Sequence, residues 1–293
     1  MSTIPSRSSS IDDPITAEGG ATTEVLEMRI MCLNGWGGRL HDQLIPYLRA
    51  VSPDVLCLQE VVHTPASAKD WLAYRDGDHV LPQRANFFRE VAAALPGHVA
   101  TFCPAARGIL RDGEETVPSQ WGLATFVRAS FPIIGQAQAF VHKSFSSDGY
   151  GHHPRPRNAH AVRIHDFDRG WTACIAHMHG LRDLNGKMDT PERLVQARRF
   201  ADLIAHLAEE NDRLVVCGDF NVEPGSRTFD VLRELGLTDL VTARHFSGTR
   251  TSYYEKPGRF ADFMLVGGSV EVIDFDVVEQ PEVSDHRPLV LEL

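Results

Sequence analysis

The sequence predicts a mixed α/β or α+β fold, and three observations carry that prediction. From about Glu27 onward, strand-like apolar runs alternate with helix-like amphipathic segments, which excludes an all-helical or all-β chain. Ten strand candidates are too many for one small sheet. At 293 residues, 43% apolar and 23% charged, the chain is long enough to bury a sizeable core without disulfides or a structural metal.

Residues 1–25 hold mostly Ser, Thr, Pro, Gly and acids with almost nothing to bury, so a disordered tail is expected there and one domain over 26–293. Strands are expected over 28–33, 54–59, 99–103, 121–127, 159–164, 172–177, 214–218, 260–266, 270–277 and 288–293. The clearest helix has Thr190 as N-cap and Pro191 as its first residue, then an apolar face of Leu194, Ala197, Phe200, Ala201, Ile204 and Leu207. A second helix is expected over 86–95, and a third starts at Ser226 and stops at Gly236. Segments 65–82, 109–119, 142–156 and 243–259 read as loops, where specificity usually resides.

Acidic residues outnumber basic ones by 39 to 29, a formal charge of −10, so no global positive field exists to attract a polyphosphate backbone. Two of the loops carry local positive charge despite the acidic whole, through His152, His153, Arg155 and Arg157 in one and Arg244, His245, Arg250, Lys256 and Arg259 in the other. No apolar run of membrane-spanning length and no signal-like amino terminus is present, so a cytoplasmic monomer without membrane insertion is expected. Cys32, Cys57, Cys174 and Cys217 lie within strand-like runs and read as reduced core residues.

Several strands end in acidic or amide residues where the apolar run gives out. RIMCL leads to Asn34, DVLCL to Gln59 and Glu60, and LVVCG to Asp219, Phe220 and Asn221. In extended chain Asp219 and Asn221 share a side while Phe220 faces the core. Asp262 sits in an apolar strand, where a carboxylate without a partner is costly, and Asp285-His286 precede the last strand. Hard oxygen donors such as Glu60, Asp285 and Asn34 suit Mg²⁺ or Mn²⁺. Phosphoester hydrolysis needs a metal, a water-orienting carboxylate, amide and imidazole donors, and a carboxylate to hold a histidine. Glu60, Asp219, Asn221, His179, His286 and Asp262 supply these types.

The motifs LNGWGG (33–38), DVLCLQE (54–60), WGLATF (121–126), HMHG (177–180), GDFN (218–221), FADFMLV (260–266) and SDHRPL (284–289) follow one another from about residue 27 to the end. In these motifs and their order the chain resembles the endonuclease/exonuclease/phosphatase superfamily of metal-dependent phosphohydrolases, with its exonuclease III/DNase I-like fold. The resemblance and the strand count imply an α+β, four-layer α/β/β/α sandwich, two mixed sheets face to face with helices outside. The resemblance also places Asn34 and Glu60 at the metal, has Asp219 and Asn221 position or activate the attacking water, and lets Asp285 bind metal or orient the site. His286, held by Asp262, would contact the phosphate or act as acid or base. His179 matches the phosphate-binding histidine, but Ala176-His177-Met178-His179 departs from the family pattern, so His177 and His179 both remain candidate donors, with Arg157 a further substrate contact.

No H-x-H-x-D-H, H-E-x-x-H, G-x-S-x-G or P-loop pattern occurs, which leaves zinc hydrolase, serine hydrolase and P-loop readings without support. A non-catalytic binding module would be expected to lack at least one of Glu60, Asp219, Asn221 or His286. The expected substrate is a soluble phosphodiester or phosphomonoester of modest size, with nucleic acid as the alternative partner. A phospholipid would call for an exposed apolar insertion, and none is evident. Trp36, Trp71 and Trp121 would serve as wedges in a nucleic acid only if exposed.

Overall fold

Strand β1 (Arg29–Asn34) buries five of its six residues, because it lies in the middle of a sheet covered on both faces. Ile30 and Cys32 point to one core and Met31 and Leu33 to another. The computed structural model describes Met1 and residues 27–293, so the tail expected over 1–25 lies, Met1 apart, outside the described residues. After β1 come α1 (His41–Val51), β2 (Val55–His63), β3 (Trp71–Asp76), β4 (His79–Arg84), α2 (Phe87–Ala94), β5 (His98–Asp112), β6 (Glu115–Arg128) and β7 (Ile133–His142). The chain continues through β8 (Arg157–Asp166), β9 (Trp171–His179), α3 (Pro191–Leu207), β10 (Arg213–Asp219), α4 (Arg227–Arg233), β11 (Leu237–Asp239), α5 (Leu240–Ala243), β12 (Asp262–Gly267), β13 (Asp274–Val277) and β14 (Leu289–Glu292).

Eight strands form one mixed sheet in the order β13-β14-β1-β2-β6-β5-β3-β4, and six form the other in the order β11-β12-β10-β9-β8-β7. Cys32, Cys57 and Val127 of the first sheet pack on Val162, Ile175 and Cys217 of the second, while Met31, Leu56 and Phe126 pack outward with Leu44, Leu48, Phe87 and Val91 of α1 and α2. Phe200 and Ile204 of α3 and Phe229 of α4 cover the outer face of the second sheet. This is the four-layer sandwich, α/β/β/α. Cys32, Cys57, Cys174 and Cys217 are buried and free, as their apolar settings imply, and so is Cys103.

Each expected strand is found at least in part, several longer than their apolar runs, but of 270–277 only Asp274–Val277 is strand, because the chain turns at 267–270. Two expected loops are strands instead. Residues 71–84 form the β3–β4 hairpin, and 109–119 are the outer half of the long β5–β6 hairpin, turning at Gly113. Both lie together at the outer end of the first sheet with much solvent contact, so their polar residues hide the period-2 pattern. Helix α1 escapes sequence reading because Pro46 interrupts it, on an exposed face that leaves Leu44, Ile45 and Leu48 buried. Helix α3 begins as expected, with the Thr190 hydroxyl accepting from the N–H of Arg193. Its buried face also contains Arg193 and Gln196. Gln196 accepts from the N–H of Leu181 at 2.7 Å, and Arg193 donates to the carbonyls of Met188 and Gly186, which fastens the loop leaving β9.

Candidate active site

The acidic strand ends meet at one rim of the sandwich. Pairing in register sets His179 of β9 and Asp262 of β12 on either side of Asp219 at the end of β10. In the other sheet Asn34 pairs with Gln59, one residue before Glu60. Asn34 bridges the sheets, its amide nitrogen donating to Oδ2 of Asp219 at 3.0 Å while its Oδ1 accepts from the N–H of Trp36.

Glu60 reaches the cleft through an irregularity. The β2–β6 register shifts between Leu58 and Val61, and Glu60 takes a left-handed φ of 55°, so β2 bulges here and runs on to His63. Asn221 is also left-handed, at φ 53°. Its N–H donates to Oδ1 of Asp219 at 3.0 Å and its side chain donates to the carbonyl of Gly180 at 3.3 Å. Such conformations cost roughly 1–3 kcal/mol each and concentrate where a side chain must be aimed.

His286 Nδ1 lies 2.8 Å from each oxygen of Asp262, and its Nε2 lies 3.7 Å from Asp219 and 3.8 Å from Asp285. Burial pushes Asp262 up to about 7 and His286 down to about 4, so the ring is neutral at pH 7. With Nδ1–H given to Asp262, Nε2 is an acceptor, and Nη1 of Arg250 donates to it and to Asp285, the latter at 3.0 Å. Arg250 was foreseen only as part of a basic loop; its backbone bridge to His286 brings it into the centre. Lys187, whose Nζ donates to the carbonyls of Phe260 and Gly258, is held near the same carboxylates and was not anticipated.

Of the two candidate histidines, His179 faces the cleft, its Nε2 3.6 Å from Asp219 and 4.0 Å from Glu60. His177 is corrected as a substrate contact, because it is fully buried between the sheets with both ring nitrogens engaged. The amide nitrogen of Gln59 donates to its Nδ1 at 3.1 Å and its Nε2 lies 2.8 Å from Thr125 Oγ1. The period-2 argument fails here because the cleft opens only at the strand end, one step beyond His177. Arg157 is 5% exposed and close to Glu60 and Asp219, and burial lowers it to about 10.

Asp219, Asp262 and His286 have ligand atoms within 4.8 Å of one another. Because both oxygens of Asp262 address His286, that trio is a His–Asp dyad facing a carboxylate rather than an open ligand set. Glu60, Asn34 and Asp285 are the oxygen donors that could hold a cation instead. Among the described residues, the one group able to ion-pair within 4.0 Å of Glu60 is His179, itself held neutral by burial. Burial and the charge of Asp219 push Glu60 upward, and burial does the same to Asp285. Carboxylates raised by burial, with an amide oxygen beside them, fit a hard divalent cation, although Asp285 also pairs with Arg250 at 3.0 Å.

The sequence matches the Endonuclease/Exonuclease/phosphatase family over residues 31–286. The chain belongs to that family. It is a phosphoester hydrolase of the endonuclease/exonuclease/phosphatase type, a family whose enzymes generally depend on a divalent metal. Among solved structures with this family's fold, it resembles a mannosyl-6-phosphatase from Bacteroides thetaiotaomicron at a TM-score of 0.63 and 16% identity, over 91% of this chain and 99% of that one. The human Nocturnin catalytic domain with bound sulfate aligns at 0.59 and 18%, over 91% and 93%. TDP2 of D. rerio, complexed with single-strand DNA product, aligns at 0.60 and 15%, over 91% and 98%. A search of curated proteins finds no match. Among the described residues, no helix is long and apolar enough to cross a membrane.

Proposed function

We propose that the chain hydrolyses a soluble phosphate ester of modest size by attack of a water held at Asp219, with Mg²⁺ or Mn²⁺ held by Glu60, Asn34 and Asp285. The observation that carries this reading is the meeting of Asp219 with the Asp262–His286 dyad and Asn34 across two sheets. Asp219 accepts from Asn34 through one oxygen and from the N–H of Asn221 through the other, so the carboxylate is fixed in direction and can orient a water. His286, neutral and directed by Asp262, sets Nε2 3.7 Å from the same carboxylate, where it also accepts from Arg250 and would turn to the substrate by exchanging that contact. His179 and the buried Arg157 supply donors for phosphoryl oxygens, the charge of Arg157 persisting at neutral pH. When bound, the cation adds positive charge opposite the developing charge of the phosphoryl group.

Trp71, one of the expected wedges, is 40% exposed, but Arg84 covers its ring at 4.9 Å; Trp36 and Trp121 are half-buried. The test is release of p-nitrophenol from p-nitrophenyl phosphate and its bis-ester, and cleavage of single- and double-stranded DNA, after chelation and metal add-back. Metal-restored hydrolysis that Asp219→Asn abolishes supports the reading, and undiminished activity in that variant overturns it. Preferential cleavage of DNA would replace the small ester with nucleic acid as substrate.

A further inference from the structure

Beside Glu60 lies a cavity of about 300 Å³. Residues of the β3–β4 hairpin and of the segment before β8 line it together. The two are tied by Asp76, whose Oδ2 accepts from Nη2 of Arg155 at 2.9 Å and lies 3.1 Å from Nε2 of His153. The rings of Tyr74 and Tyr150 meet edge to face at 5.5 Å beside that tie. The cavity is therefore walled by two joined segments instead of lying in an open groove.

Its charge is unbalanced. Arg157, Arg182 and Lys256 line it without an ion-pair partner among the described residues. The guanidinium of Arg157 gives its Nε–H to the carbonyl of Gly180 at 2.8 Å, and its Nη1 is buried with no hydrogen-bond partner. The acids lining the cavity are Glu60, a proposed metal ligand, and Asp76, already engaged by Arg155 and His153. In a chain of formal charge −10 these cations run against the average, and a desolvated guanidinium nitrogen without an acceptor is unfavourable until an anion meets it.

We propose that this cavity receives the part of the substrate that leaves with the ester oxygen, and that this part carries a second anionic group. The substrate class is a small organic phosphate with two negatively charged groups, such as a bisphosphorylated sugar or nucleoside, and not a polynucleotide. The inference rests on the phosphohydrolase reading of the adjacent cleft. Arg157, close to Glu60, faces the phosphoryl group under attack. Arg182 and Lys256, both exposed, are then surplus to that group and hold the second anion. A volume of about 300 Å³ is at the small end for ligand pockets, which suits one phosphorylated ring system and not a chain of nucleotides.

The test compares matched pairs differing by one phosphate: glucose 6-phosphate with glucose 1,6-bisphosphate, and adenosine 5′-monophosphate with adenosine 3′,5′-bisphosphate. A short single-stranded DNA and p-nitrophenyl phosphate complete the set, with metal present. At least one bisphosphate should exceed its monophosphate by about tenfold in kcat/KM, chiefly through KM, as expected for a charge-assisted contact. The double variant Arg182→Ala, Lys256→Ala should bring that ratio to within about twofold of unity. Equal kcat/KM within both pairs, a ratio unchanged in the double variant, or preference for the DNA overturns the inference while p-nitrophenyl phosphate is still turned over. Loss of metal-dependent turnover on every substrate instead overturns the phosphohydrolase reading, and this inference with it.

Discussion

Asp262 and His286 are joined by a forked contact, both carboxylate oxygens lying 2.8 Å from Nδ1 of the imidazole. The aspartate belongs to β12 in one sheet and the histidine to the turn before β14 in the other, so the pair spans the two sheets at the rim where the acidic strand ends meet. One partner fixes the other's tautomer and direction, and the two should behave as a single device. Asp262→Asn is expected to lower kcat by about 100-fold or more with KM changed by less than about threefold. Adding it to His286→Ala should slow the enzyme little beyond His286→Ala alone. Steady-state kinetics on the four proteins of the cycle checks this, and fully additive losses would show that the residues act separately.

Glu60 carries a charge that its surroundings oppose, through burial first and then Asp219. Removing that charge should stabilise the metal-free protein while removing metal affinity. Glu60→Gln is expected to raise Tm in chelator by a few degrees. Its affinity for Mn²⁺ should fall at least about tenfold by calorimetry. A lower Tm in chelator, or an unchanged affinity, would contradict this account of the site.

His160 shares the hydroxyl of Thr125 with His177, its Nδ1 lying 2.7 Å from Oγ1. Since Gln59 donates to His177, that ring donates to Thr125 and the hydroxyl in turn donates to His160, whose Nδ1 must stay unprotonated. Burial lowers His160 to about 4 from an ordinary 6.5. Between those values the unfolded chain binds the proton and the native one refuses it, so stability is full above 6.5 and falls as pH drops toward 4. From pH 7 to pH 5 this group alone should cost about 2 kcal/mol. Urea unfolding at both pH values should show the difference shrinking by about that amount in His160→Gln, and an unchanged difference would place the acid sensitivity elsewhere.

Gly218 has a φ of 142°, and a Cβ there would lie 2.2 Å from the carbonyl oxygen of Met178 on the neighbouring β9. Contact that close forces the strands apart just before Asp219 and His179. Gly218→Ala should therefore cost about 3 kcal/mol in urea unfolding, from the clash and the backbone strain together, and should depress kcat as well. A variant of native stability would show that the ladder yields there more easily than its geometry implies.

Much of this was legible in the amino-acid order. Apolar runs interrupted by Asn34, Glu60, Asp219 and Asp262 mark strand ends and buried acids, because a sheet interior tolerates few polar groups and each one there has a reason. Thr190-Pro191 marks a helix start for a similarly local cause. The β3–β4 hairpin was not legible, since a hairpin with much solvent contact has no apolar alternation to declare it. Nor was α1, where Pro46 hides the helical period.

The sequence by itself determined the mixed α/β class and the kinds of side chain available for chemistry, because hydrophobic periodicity and residue type are local properties, and the layered sandwich followed from it only through the family resemblance. Only the tertiary structure decided that His179 faces the cleft while His177 is spent between the sheets, and that Arg250 leaves its loop to touch Asp285 and His286. Those outcomes depend on where each strand ends relative to its neighbours and on which loop packs over the rim. They are set by contacts between residues far apart in the chain, such as Asn34 with Asp219 across 185 positions, and such contacts leave no trace in any short stretch of sequence.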